Sequence, residues 1–468
     1  MRTNVTRTGA LTGLFIFLVA GGMINKRSEA EIHEHTGKES MSFLENEYIR
    51  IGVDLDLGGA ITYLSTSFSN GNMINNHDWG RQIQLSFYSG PVPFVPNGKE
   101  PDPQWRMLGW NPIQSGDFVG NRSRIVSYSN NGKEIYVKCI PMQWPLDNEP
   151  GECFFESWIQ LEKNVVKARA KITNQRKDTT YYGSRHQEMP AVYTNIKYGR
   201  LVTYQGDQPY TGDAVSDIEQ DNIPGKGDIR WKYWQATENW AACVDHTGKG
   251  LGIWSPETQS FCGGRYGSRS DTIGTKAQGT AYLSPLSSEV LDHNIEFEYE
   301  YDLIAGTLQE IRDFVYRKNE KNKKSLPDYY FRSDRGHVAL YGMRDGGWPV
   351  KEGLDLRPDG NAYLLTPPSG WDAKEAPVIE LEAAYTGITG QARVTFQRFG
   401  QQGFDSLQSA TFTIVPDGNM RKYQVLLASN DLYKGFITRL KIEPFPIEEQ
   451  ATAYCKMKRI RLLGKRPE

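Results

Sequence analysis

Cysteine is scarce in this chain, with five in 468 residues. An odd and sparse count argues against a disulfide scaffold. Cys139 with Cys153, and Cys243 with Cys262, are near enough in sequence to close short loops in an oxidising compartment; buried free thiols are the equal alternative. No Cys-x-x-Cys or His-rich spacing is present, so a zinc site is not expected. Charge of one sign is also lacking. Against 54 Lys and Arg stand 56 Asp and Glu, a net charge of −2, which argues against a polyanionic partner and hence against nucleic acid. Apolar runs are short. The longest, Leu11 to Met23, is about 13 residues, below the ~20 a helix needs to span a bilayer. With Arg2 and Arg7 ahead of it and Ser28-Glu29-Ala30 behind, it reads as a signal-peptide core. Residues 1–30 are therefore expected to be removed on export, leaving a secreted or periplasmic protein with no transmembrane domain.

Helical periodicity is rare, and what replaces it is turn residues and aromatics: 46 Gly, 24 Pro, 25 Tyr and 11 Trp. The chain reads as all-β and too long for one core at ~100–200 residues per domain. Its clearest strand is Ile295 to Leu303. Apolar residues hold every second place, with Glu296, Glu298, Glu300 and Asp302 between them as a solvated face. Thr307 and Glu310 then make a capping box, and Leu308, Ile311 and Val315 share one helical face. The charged stretch 317–326 that follows is expected to be a linker. Beyond it, alternation at Ile379–Tyr385, Ala392–Phe396, Phe412–Ile414, Tyr423–Leu427 and Phe436–Ile442 predicts a jelly-roll sandwich over 327–464. Before it, Tyr48–Val53, Ile83–Tyr88 and Ile135–Cys139 predict a larger, many-stranded double sheet over 41–316. No fixed-period repeat favours a propeller.

The opening Glu45 to Leu64, the segment Asn75-Asn-His-Asp-Trp-Gly-Arg-Gln-Ile-Gln84 and the closing strand from Leu291 with its helix resemble the galactose-mutarotase-like supersandwich proteins. The C-terminal part, with Gly347-Trp348 and Asp359-Gly360, is similar to β-sandwich modules appended to secreted bacterial polysaccharide-degrading enzymes. The resemblance implies a fold and a carbohydrate ligand. It does not choose among epimerases, hydrolases, lyases and non-catalytic binders, because one fold hosts many chemistries.

Three clusters compete for the site. His77, Asp78, Trp79, Arg81, Gln82 and Gln84 combine a guanidinium fork for a carboxylate with amides for sugar hydroxyls. Arg185, His186 and Glu188 lie in one short run closed by Tyr193. Residues 186 and 188 leave the same face of a strand, placing an imidazole beside a carboxylate as proton transfer requires. Trp234, Glu238, Asn239 and Trp240 set a carboxylate among aromatics, which would raise its pKa. Glu188 and Glu238 then form the expected carboxylate pair for glycosidic hydrolysis, with His186 orienting and Trp79, Trp234 and Trp240 as stacking platforms. The alternatives are β-elimination on a uronate, with Arg81 or Arg185 neutralising and His186 or Tyr193 as base, and glycan capture without turnover. No cofactor is expected. Oxygen-rich loops leave Ca2+ open, without EF-hand spacing.

Overall fold

The computed structural model describes residues 40–69, 71–220, 231–266, 279–321, 326–446 and 452–464. The expected signal peptide, and residues 322–325 of the expected linker, lie outside them.

Two large antiparallel sheets face each other in the first half of the chain. One has nine strands, in the order 216–217, 200–203, 240–244, 249–254, 296–307, 165–174, 153–162, 134–140 and 124–130. The other has seven, in the order 232–235, 260–266, 280–289, 185–195, 84–86, 112–113 and 142–143. A three-stranded sheet, Met41–Glu45, Ile49–Asp54 and Ala60–Thr66, adds to them. Between the layers lies one apolar core, to which the nine-stranded sheet gives Phe155, Phe297 and Tyr299 and the seven-stranded sheet Leu85, Met189 and Leu283. Phe87 meets Phe155 at 5.2 Å and Phe297 at 6.3 Å, both edge-on. This is the supersandwich that the sequence resemblance implies.

The strand Glu296–Thr307 shows how pattern becomes layer. Phe297, Tyr299 and Tyr301 point into the core while Glu296, Glu298 and Glu300 face water. Asp302 departs from expectation: it is buried and paired with Lys318 at 2.8 Å. The cause is the helix Leu308–Lys321, which folds back over the same outer face. Its capping box forms, with Thr307 N and Oγ1 donating to Glu310 Oε2 at 2.8 and 2.9 Å. The helix reaches Lys321, so residues 317–321 of the expected linker are helical. The predicted strand 83–88 shortens to Gln84–Ser86.

A second core, from Phe331 to Leu462, is a β-sandwich of ten described strands. The expected alternations appear as Val378–Thr386, Gln391–Arg398, Ser409–Thr413, Arg421–Leu426 and Phe436–Glu443. Two long strands went unread in the sequence. Leu354–Leu365 carries Pro358 and Gly360 yet joins both layers, pairing with Tyr454–Leu463 at one end and with Phe436–Glu443 at the other. All five cysteines are buried free thiols.

The two cores meet through apolar contacts, Val290 and Tyr181 in the second core and Trp348 against the first, and through polar ones. Arg335, buried, is bonded by Asp345 at 2.7 and 2.9 Å and paired with Asp292 at 2.7 Å. His337 Nδ1 lies 2.7 Å from Glu289. Ser184 Oγ accepts from Leu340 N at 2.9 Å.

Candidate active site

The strand Arg185–Asn195 lies in the middle of the seven-stranded sheet. Gln187 and Met189 are fully buried on its inner side, so His186 and Glu188 leave its outer face. In a regular strand Tyr193, five residues on, would point the other way. The pairing register shifts between Glu188 and Val192, and this irregularity returns Tyr193 to the face of Glu188. Tyr193 there packs on Tyr282, ring centroids 4.8 Å apart, with Trp231 at 4.6 Å on the same tyrosine.

Glu188 is held by hydroxyls. Tyr282 donates to its Oε1, and Tyr88 donates to Oε2 at 3.0 Å, itself receiving from Ser86 Oγ at 3.1 Å. Burial raises the Glu188 pKa, and these hydrogen bonds only partly offset it. Burial also drives the Tyr88 and Tyr282 hydroxyls well above their usual range, with the Glu188 charge adding to the effect. No cation pairs with Glu188 among the described residues.

His186 is the exposed member of the strand, and its Nδ1 is 3.2 Å from Ser288 Oγ. Crowding by protein, then the charge of Arg439, then that of Arg185, lower its pKa to about 4. At neutral pH the imidazole is therefore uncharged. Arg185 donates through Nη1 to Ser89 O at 2.9 Å and Leu108 O at 2.7 Å, and its guanidinium lies 5.8 Å from the Tyr88 ring. Arg439 comes from the second domain and donates to Thr366 O at 2.6 Å. No carboxylate partner is found for either arginine among the described residues.

The other two clusters are built differently. Glu238 is fully buried and receives five hydrogen bonds: two from Arg312 at 3.0 and 2.9 Å, and one each from Tyr316, Trp240 Nε1 and Tyr210 N, all at 2.9 Å. Arg312 belongs to the helix on the outer side of the nine-stranded sheet, and Trp240 packs with that helix. The apolar core therefore separates Glu238 from Glu188. The expected carboxylate pair does not form, because the guanidinium and the helix that claims it close over Glu238. Asn239 is buried and donates to Thr258 O at 2.8 Å. Trp240 is fully buried, and Trp234 lies against the main core, stacked on Phe261. None of the three is placed as a ligand platform.

In the first cluster Arg81 pairs with Asp78 at 3.0 Å and lies 4.2 Å over the Tyr266 ring. Asn75 Nδ2 also donates to Asp78, at 3.1 Å, and Asn75 Oδ1 accepts from the His77 amide at 3.1 Å. Trp79 Nε1 donates to Asp117 O. Gln82 and Gln84 are buried and donate to Asp78 O at 2.7 Å and Gly80 O at 2.6 Å. These amides tie the loop to its own backbone, leaving it a braced wall. Arg81 remains beside the site, its charge acting on Tyr193. Sequence reasoning missed Ser86, Tyr88, Tyr282, Ser288 and Arg439. Ser86 and Tyr88 share the period-two spacing of the expected strand 83–88. The others become neighbours only through long-range pairing, as in Glu188 opposite Leu286 and His186 opposite Ser288.

No family model and no curated protein matches the chain. Solved structures do match. The galactose mutarotase related enzyme of Lactobacillus acidophilus is 12% identical over 57% of this chain and 97% of its own, with a TM-score of 0.36. A galactose mutarotase-like protein of Lactobacillus casei is 11% identical over 56% and 99%, with a TM-score of 0.35. The 4-alpha-glucanotransferase of Thermococcus litoralis is 14% identical over 57% of this chain and 37% of its own, with a TM-score of 0.32. Such likenesses carry no chemistry. Among the described residues no helix is long and apolar enough to cross a membrane, and no group of three His, Cys, Asp or Glu is placed to hold a metal ion.

Proposed function

We propose that this chain is an exported carbohydrate-active enzyme that cleaves an acidic glycan by β-elimination. The observation that carries the reading is His186, an imidazole whose pKa is lowered first by desolvation and then by two guanidiniums that lack carboxylate partners among the described residues. A uronate supplies the missing charge. Its carboxylate docks near the guanidiniums, and the same anion weakens their hold on His186, so binding makes the imidazole a better base. His186 removes the C5 proton. The electron pair forms the C4–C5 double bond as the C4–O bond breaks. The leaving oxygen takes a proton from Tyr88, whose hydroxyl is held by Glu188; the imidazolium then returns its proton to solvent and Tyr88 is reprotonated. The rings of Tyr88, Tyr193 and Trp231 supply apolar surface for the sugar.

The hydrolytic reading loses its second carboxylate with Glu238. It keeps one support, since Glu188 is a buried carboxyl of raised pKa, which suits a general acid. The test is turnover of acidic and neutral glycans by the purified protein. Elimination yields reducing ends together with the ultraviolet absorbance of an unsaturated uronate. Reducing ends without that absorbance mean hydrolysis. Binding without either product means glycan capture.

A further inference from the structure

The outer face of one sandwich layer carries a polar-aromatic group. Tyr341 and Tyr363 are direct cross-strand partners, and their rings stack at 5.0 Å and 17°. Leu340, Leu364, Leu440 and Ile442 point into the second core, so the intervening Tyr341, Tyr363, Arg439 and Lys441 share the opposite face. Lys441 Nζ lies 5.6 Å from the Tyr363 ring and is already paired with Glu443 of the same face at 3.1 Å, which leaves Arg439 as the cation without a carboxylate. Arg439 is desolvated, which lowers its pKa; the groups that counter this are the hydroxyls of Tyr341, Tyr329 and Tyr363, with no carboxylate among them. This face adjoins the active-site strand. Leu340 N donates to Ser184 Oγ, one residue before Arg185, and the charge of Arg439 reaches His186.

A desolvated cation without a carboxylate is costly unless something else brings the counter-charge. Beside it stand flat rings suited to a pyranose face. We propose that the second domain is part of the active site: it forms a subsite for an acidic sugar, with Arg439 taking the carboxylate and the Tyr341–Tyr363 pair carrying the ring. The proposal rests on the glycan reading of the His186 site and extends it across the domain junction. The substrate is then seated against both domains, and the sandwich is not an independent tether.

The test uses the full chain and short oligouronides, with neutral oligosaccharides of the same length as control. Arg439→Gln and Tyr363→Ala are each expected to weaken oligouronide binding by about tenfold or more, the usual scale of one charge-assisted contact. KM should rise accordingly, with kcat changed far less. Arg439→Gln should also move the His186 titration, followed by NMR, up from about 4 toward the ordinary histidine value. That readout needs no turnover. Unchanged affinity in both variants overturns the subsite, even where the enzyme still cleaves uronides. Lost affinity in a protein that binds but never cleaves supports the subsite and removes the elimination reading. A wild-type chain that binds no oligouronide overturns the subsite.

Discussion

Glu188 and Glu238 are two carboxylates set among tyrosines and tryptophans on opposite outer sides of one double sheet. In the sequence they look alike. In the fold, Glu238 meets Arg312 and three further donor groups saturate its surroundings under a helix. Glu188 meets only hydroxyls, from Tyr88 and Tyr282. A carboxylate claimed by a buried guanidinium is part of the frame. One held by hydroxyls alone, with its pKa raised, is available for chemistry. The deciding variable is whether a packed element delivers a cation.

The sharpest way to break this comparison is to remove each charge. Glu238→Ala strands Arg312 in a buried position and is expected to cost ~3–5 kcal/mol in denaturant unfolding, while Glu238→Leu with Arg312→Met recovers most of it. In Glu188→Gln the amide oxygen still accepts from one tyrosine hydroxyl, while the other must turn to accept from the amide nitrogen; stability is expected to change by about 1 kcal/mol, while turnover falls. Equal stability losses at both sites would erase the distinction.

The next effect is at His186. His186→Ala is expected to lower kcat by about 10²–10⁴-fold, the usual contribution of a general base, with unfolding changed by less than about 0.5 kcal/mol because the side chain is exposed. A variant with full activity would move the chemistry back to Glu188.

A smaller effect appears in pH profiles. His186 has a lowered folded pKa of about 4, against about 6.5 for the unfolded chain. Between these values the unfolded state binds the extra proton, so this group contributes stability that rises with pH across that window. In activity, the acid limb of kcat/KM is expected near the folded value. It should shift upward in Arg439→Gln, as a stopped assay over a buffer series would show.

The smallest effect lies at the domain contact and runs the other way. Glu289 and Glu257 beside His337 raise its pKa to about 9, against burial. Its contribution is therefore fully present below about 6.5 and is lost as pH rises through about 9. The sign at Glu257 agrees: burial raises its pKa to about 7, so it too favours the folded state at lower pH. His337→Gln is expected to flatten the alkaline side of a melting-temperature profile without changing oligouronide turnover at neutral pH.

Local chemistry made much of this protein legible from its sequence. Period-two alternation found the strand through Phe297, Tyr299 and Tyr301 and five strands of the sandwich. The Thr307–Glu310 pair located the helix start. The two-residue spacing of His186 and Glu188 put them on one face. All of these are properties of neighbours along the chain, set by backbone geometry. The structure alone decided the rest, because it depends on pairing between distant segments. Only tertiary contacts deliver Arg312 to Glu238, 74 residues away, and Tyr282 to Glu188, 94 residues away. Only a register shift turns Tyr193 to the face of Glu188. Sequence patterning determined which residues could be buried or wet; which carboxylate gained a counter-charge was settled by what packing brought beside it, since a desolvated charge takes its character from its partners.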